Sequence, residues 1–78
     1  MISSKIMEYA VKRGVEKTFC PSEVARELFP ENWREKMELV REVADDLVRE
    51  NKIVVLQNGV IRDNLPSKLK GPIRLRKK

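Results

Sequence analysis

The chain contains no histidine and a single cysteine, Cys20. Imidazole-based catalytic triads and Cys/His zinc sites are therefore excluded, because the base and the ligands they need are absent. One thiol cannot form an internal disulfide, and a lone cysteine suits a reducing compartment such as the cytoplasm. Aromatic residues are also few: Tyr9, Phe19, Phe29 and Trp33. None lies among the C-terminal basic residues, so no stacking platform for single-stranded bases is expected there. The three glycines stand far apart, at 14, 59 and 71, which leaves no glycine-rich phosphate loop. No apolar run approaches the roughly 18 residues needed to span a membrane. The first residues lack the apolar core of a signal peptide. These absences lead us to expect a soluble, cytoplasmic protein.

With 78 residues, a chain buries only ~60% of its unfolded surface. That leaves little room for both a core and a deep substrate cleft. We expect one domain over residues 1–78, with 76–78 a frayed basic tail. No catalytic residue, metal ligand or cofactor motif can be named, so the expected class is a non-enzymatic module without cofactor or metal.

What is present is charge, unevenly placed. The net +5 divides into +1 over residues 1–30, −2 over 31–52 and +6 over 53–78. Such asymmetry points towards a polyanionic partner.

A first helix is expected from Ser3 or Ser4, either of which can cap free amides, to Gly14, which suits a left-handed closing position. Ile6, Tyr9 and Ala10 follow at helical spacing. Residues 15–19, VEKTF, are too short for a helix and favour a stub of strand. Pro21 fits the first turn of a second helix, and Glu23 can fold back onto an upstream amide as in a capping box. Because cysteine is a poor cap, either Ser22 or Glu23 carries that role or the helix begins less firmly. This helix would bury Val24, Ala25, Leu28 and Phe29 and end at Pro30.

A third helix opens at Pro30 or Asn32 and runs to about Asn51. With Trp33 as origin, Met37, Val40, Ala44, Leu47 and Val48 fall within about 60° of it and form a core stripe. The opposite side carries Glu35, Glu38, Glu42, Asp46 and Arg49 and is mostly acidic. Arg34 and Arg41 share one shoulder; Lys36, Leu39 and Val43 occupy the other. Ile53–Leu56 is strand-like, and Asn58-Gly59 joins it to Val60–Arg62. Asn-Gly between apolar runs is a strong hairpin signal, since a type I′ turn needs two positive φ values. Residues 63–71 read as a polar loop. Pro72–Arg76 alternates as a strand with Ile73 and Leu75 inward.

Helix, strand stub, helix, helix, hairpin is the order of a winged helix-turn-helix, an α+β fold with a β-hairpin wing and a short C-terminal strand. PSEVAR at 21–26, WR at 33–34 followed by VR at 40–41, and GPIRLR at 71–76 resemble a small bacterial family of proteins of unknown function. The resemblance covers residues 20–76. It implies a winged-helix-like fold and hallmark positions at Pro21, Ser22, Glu23, Arg26, Trp33, Arg34, Arg41, Gly71, Arg74 and Arg76, and it implies no reaction.

Two partners are weighed. Duplex DNA could be held through phosphates by Arg34, Arg41, Arg62, Lys68, Lys70, Arg74 and Arg76. A protein partner could instead meet the acidic face of the third helix together with Leu39 and Val43. In the solvated-face alternative, Arg34 pairs with Glu38 and Arg41 with Asp45, Arg74 and Arg76 pair with helix carboxylates, and Arg26 pairs with Glu23 or Glu27. Trp33 is expected in the core.

Overall fold

The computed structural model describes Met1–Lys78 as three helices followed by a three-stranded antiparallel sheet. Helix α1 (Ile2–Arg13) begins earlier than the serines suggested. Met1 is its N-cap, and the Lys5 amide donates to the Met1 carbonyl at 3.1 Å, so neither Ser3 nor Ser4 caps it. Gly14 closes it with φ 79°, and its amide donates to Ala10 at 2.9 Å. Helix α2 (Pro21–Leu28) starts after Cys20. Cys20 is nonetheless the N-cap, and Glu23 completes the expected capping box at the third helical position: its Oε2 accepts from the Cys20 amide at 2.9 Å. Ser22 turns its hydroxyl to the Cys20 sulfur at 3.0 Å instead.

Helix α3 (Trp33–Arg49) ends in a Schellman closure. The Lys52 amide reaches back to Leu47 and the Asn51 amide to Val48. Asn51 takes the left-handed position at φ 62° that such a closure requires. Strand β1 (Ile53–Gln57) then turns at Asn58-Gly59, both at positive φ, into β2 (Val60–Arg62). The type I′ turn expected from those two residues is formed.

The C-terminal strand β3 (Arg74–Lys77) does not extend the hairpin beyond β2. The sheet order is β2-β1-β3, so β3 lies on the other side of β1, with Val55 opposite Leu75 and Val54 opposite Arg76. Its outer edge takes the strand stub. Phe19 and Leu75 exchange both backbone hydrogen bonds, at 2.8 and 2.7 Å. The result is a winged-helix-like arrangement in which the excursion between β1 and β3 spans residues 58–73, well beyond the hairpin alone. Residues 76–78, expected to fray, are held. Arg76 and Lys77 belong to β3, and the Lys78 amide donates to Lys52 at 3.2 Å.

All three helices and the sheet meet in one cluster. Ile6 and Ala10 come from α1, Val24 and Ala25 from α2, and Val40, Ala44 and Leu47 from α3; Ile53, Val55, Ile73 and Leu75 come from the sheet region, and Phe19 from the stub. Leu28 and Phe29 are half-buried, less than the helical reading of α2 implied. The loop read as polar contributes Leu69 to the core and buries Pro66 at the head of a 3₁₀ turn, Pro66–Lys68.

Candidate functional site

The excursion does not project freely. Two α3 side chains hold it down, both on the shoulder that the helical angles had assigned to cations. Arg41 donates from Nη1 to the Leu69 carbonyl at 2.9 Å and from Nη2 to the Gly71 carbonyl at 2.8 Å. One turn further on, Asp45 is only 6% exposed. Its Oδ1 accepts from the Ser67 amide at 2.9 Å, and its Oδ2 accepts from the Ser67 hydroxyl. Arg41 and Asp45 therefore do not pair with each other; each binds the loop. A guanidinium has five donors, so Arg41 keeps donors to spare while it positions the segment that carries Lys68 and Lys70.

The loop is also tied to the hairpin. Gln57 Nε2 donates to the Lys70 carbonyl at 2.6 Å, and Arg62 Nη1 donates to Gln57 Oε1 at 2.9 Å. This brings Arg62, Lys68 and Lys70 to the same end of the molecule as Arg41. Arg74 and Arg76 stand elsewhere, on the sheet face turned away from the core, because their cross-strand partners are Leu56 and Val54. Leu56 is nonetheless buried, and its neighbours in register are Arg74 and Ile61. An arginine stem laid over an aliphatic neighbour is the expected cover at such a position. Arg74 reaches the stub through Nε to Thr18 Oγ1, at 3.0 Å. Lys77 and Lys78 lie at the far end of β3, where Lys78 Nζ donates to Asn51 at 2.9 Å.

Ion pairs form only among residues of the first two thirds of the chain. The five ion pairs are Lys5 with Glu8 and with Glu27, Arg13–Glu23, Arg49–Asp46 and Lys52–Glu50. Arg62, Lys68, Lys70, Arg74, Arg76, Lys77 and Lys78 take part in none of them. The pairing of Arg74 and Arg76 with helix carboxylates is not formed. The outward face of α3 is acidic as read: Glu35, Glu38, Glu42 and Asp46 are all exposed. Val43 packs partly against the core, leaving Leu39 (41% exposed) as the apolar residue of that face.

The corner between α2 and α3 holds a grouping that the sequence reading missed. The Arg26 guanidinium lies 4.2 Å from the centre of the Trp33 ring and the Arg34 guanidinium 4.8 Å from it. Arg26 does not pair with its helical neighbours, since both carboxylates are engaged by α1. Glu23 binds Arg13 at 2.8 Å. Glu27 binds Lys5 at 2.6 Å and accepts from the Tyr9 hydroxyl at 2.7 Å. Arg34 likewise makes no ion pair with Glu38. Trp33 is half-buried and packs against the core edge, so its ring serves the core and carries cations at once. Nothing in the local spacing of Arg26 and Arg34 could reveal this, because they meet only when α2 folds against α3.

A polar depression of about 250 Å³ opens between α1 and α2, lined by Glu8, Tyr9, Lys12, Arg13 and Glu27. Its main groups satisfy one another, and their titration follows. Burial alone would push the Glu23 carboxyl up, but the Arg13 guanidinium and the Cys20 amide hold it below the usual range. Lys5 and the Tyr9 hydroxyl hold the Glu27 carboxyl down in the same way. The Glu27 hydrogen bond in turn pushes the Tyr9 hydroxyl up. A carboxyl lowered on folding stabilises the fold fully above its unfolded value of about 4.3, and the contribution is lost as pH falls through the lower folded value. The raised Tyr9 contributes below about 10 and is lost as pH rises above it. Melting temperature should thus hold between neutral pH and about 5, then drop below about 4. Glu27→Gln should flatten that acid limb; an unchanged limb by circular dichroism would exclude Glu27 as its source.

No group of three or more His, Cys, Asp or Glu side chains is placed to hold a metal ion. No helix is long and apolar enough to cross a membrane. What the geometry offers is cationic surface on a winged-helix-like α+β scaffold. The chain belongs to the family described as protein of unknown function DUF3253, which it matches over residues 1–78. A search of curated proteins found no match.

Proposed function

We propose that this domain is a non-enzymatic module that binds duplex nucleic acid, with DNA as the test ligand, through backbone phosphates. The contacts would come from the excursion and the C-terminal strand: Arg62, Lys68, Lys70, Arg74 and Arg76, continued by Lys77 and Lys78. Arg34 adds charge on the α3 shoulder, and Arg41 acts mainly by positioning the loop. The observation that carries this reading is the absence of any carboxylate partner for all seven C-terminal cations, whereas Lys5, Arg13, Arg49 and Lys52 in the rest of the chain are paired. Unneutralised cations release the counterions of a polyphosphate, and phosphate contacts need only positive density at suitable spacing. The acidic outer face of α3 argues against base reading by that helix in the major groove. Binding should accordingly be insensitive to sequence.

The test is fluorescence anisotropy of a short labelled DNA duplex across salt concentrations. With four phosphate contacts, affinity should fall about two orders of magnitude between roughly 50 and 200 mM salt. Lys68→Ala with Lys70→Ala should lower the slope of log K against log salt by about 0.9 for each contact removed. Arg74 is less suitable for the test, since its substitution also frees Thr18. Absence of wild-type binding at the lowest salt would overturn the reading. It would leave the protein-adaptor alternative, for which exposed Val60 (60%) and Ile61 (51%) on the edge strand β2 are the specific support.

A further inference from the structure

The grouping at the α2–α3 corner differs from the other cation–ring contacts, Arg13 over Tyr9 and Lys36 over Phe29, in setting two guanidiniums on one ring. Arg26 comes from the last turn of α2, while Trp33 and Arg34 open α3. The two ring distances limit the guanidinium carbons to about 9 Å apart. Neither guanidinium has a carboxylate within ion-pair distance, whereas Glu23 and Glu27, the acids nearest Arg26 in sequence, are held by α1. Neither cation is neutralised, so an anion within reach of the edges of both guanidiniums would be attracted by each. The indole face attracts each guanidinium through its quadrupole. Held over a ring, a guanidinium still has its in-plane N–H donors free to grip a phosphate. The first-turn amides of α3 add the positive end of its dipole. Glu31 and Glu35, both exposed nearby, oppose this and bias the site against a highly charged, freely diffusing anion.

Position ties the corner to the rest of the basic surface. Arg34 shares the α3 shoulder with Arg41, seven residues on and therefore about 10 Å along the axis. Arg41 grips the carbonyls on either side of Lys70. A line along this shoulder runs from the corner to the loop cations and is long enough for more than one phosphate of a strand.

We propose that Arg26, Trp33 and Arg34 form a clamp for one backbone phosphate, a second anchoring point on the same duplex that meets the excursion. This rests on the reading of the protein as a duplex binder and adds a site to it. Trp33 is the only tryptophan, so the clamp carries its own reporter. In a titration with an unlabelled DNA duplex, Trp33 emission should change over the concentration range in which anisotropy of the labelled duplex reports binding. Arg26→Gln with Arg34→Gln should abolish that change and lower the salt slope by about 0.9, the value of one phosphate. Arg26→Lys with Arg34→Lys should keep the slope while weakening binding, because the charge stays and the fork is lost. Both arginines are exposed, and thermal melts of the variants should match wild type, which separates the effect from misfolding. Binding with constant Trp33 emission, or with an unchanged salt slope in the glutamine variant, overturns the clamp and leaves the duplex reading standing. Absence of any wild-type binding overturns both.

Discussion

Phe19→Ala is expected to remove roughly a quarter or more of the stability of this protein. Phe19 is fully buried and is the largest side chain in the core. Its ring centre lies 5.6 Å from that of Tyr9, tilted by 35°. Truncating a buried phenylalanine costs about 3–5 kcal/mol, combining lost transfer energy with the cavity left behind. A domain of this length has ~4–12 kcal/mol in total, at 0.05–0.15 per residue. The melting midpoint should fall by ~12–40 °C, at about 4–8 °C per kcal/mol for a domain of this size. The backbone gives a second reason to expect a large effect. Phe19 exchanges both hydrogen bonds with Leu75, so a cavity beneath it also loosens the backbone link between the stub and β3. A circular dichroism melt decides the matter; a midpoint within about 5 °C of wild type would show the ring to be dispensable.

Asp45→Ala should have the next largest effect, and for a different reason. The carboxylate is nearly enclosed and accepts two hydrogen bonds from Ser67. Bonds to a charged group contribute about 1.5–3 kcal/mol each, and deleting the acceptor leaves the Ser67 amide without a partner. The expected loss is about 2–4 kcal/mol. Asp45→Asn keeps one acceptor and the side-chain shape and should lose about half as much. The damage should also be local first. With Ser67 released, the 63–71 loop is held by Arg41, by Gln57 and by Leu69 in the core. Limited trypsin digestion should then cut after Lys68 or Lys70 faster than in wild type. Unchanged cleavage together with an unchanged melt would show that Asp45 does not anchor the loop.

These two residues mark the limits of what could be read in advance. Phe19 stood in a five-residue stretch whose β-branched and aromatic residues favoured extended backbone, so a strand stub was legible. Its partner was not, because Leu75 lies 56 positions away and several strands could have satisfied the same edge. Asp45 was harder still. By helical angle it stood beside Arg41, and an i,i+4 pair was the natural local expectation. The folded chain offered both residues better partners in the loop, the amide and hydroxyl of Ser67 for one and two backbone carbonyls for the other. The same competition removed the Arg26 pairing: α1 supplied Arg13 and Lys5 to the very carboxylates that Arg26 would have used.

Local chemistry alone determined the helix and strand positions, the type I′ turn at Asn58-Gly59, the stripe from Trp33 to Val48 and the acidic back of α3. Those follow from periodicity, propensity and the few residues that accept positive φ, all of which act within a turn or two of chain. The sequence by itself also settled that imidazole and paired-thiol chemistry were unavailable. Only the tertiary structure decided that β3 crosses to the far side of β1, that the loop folds back onto α3, and which cations remain without carboxylates. Each is a choice among distant partners of similar chemistry. Such choices are resolved by the geometry of the whole core, through burial and hydrogen-bond satisfaction, and no short window of sequence contains them.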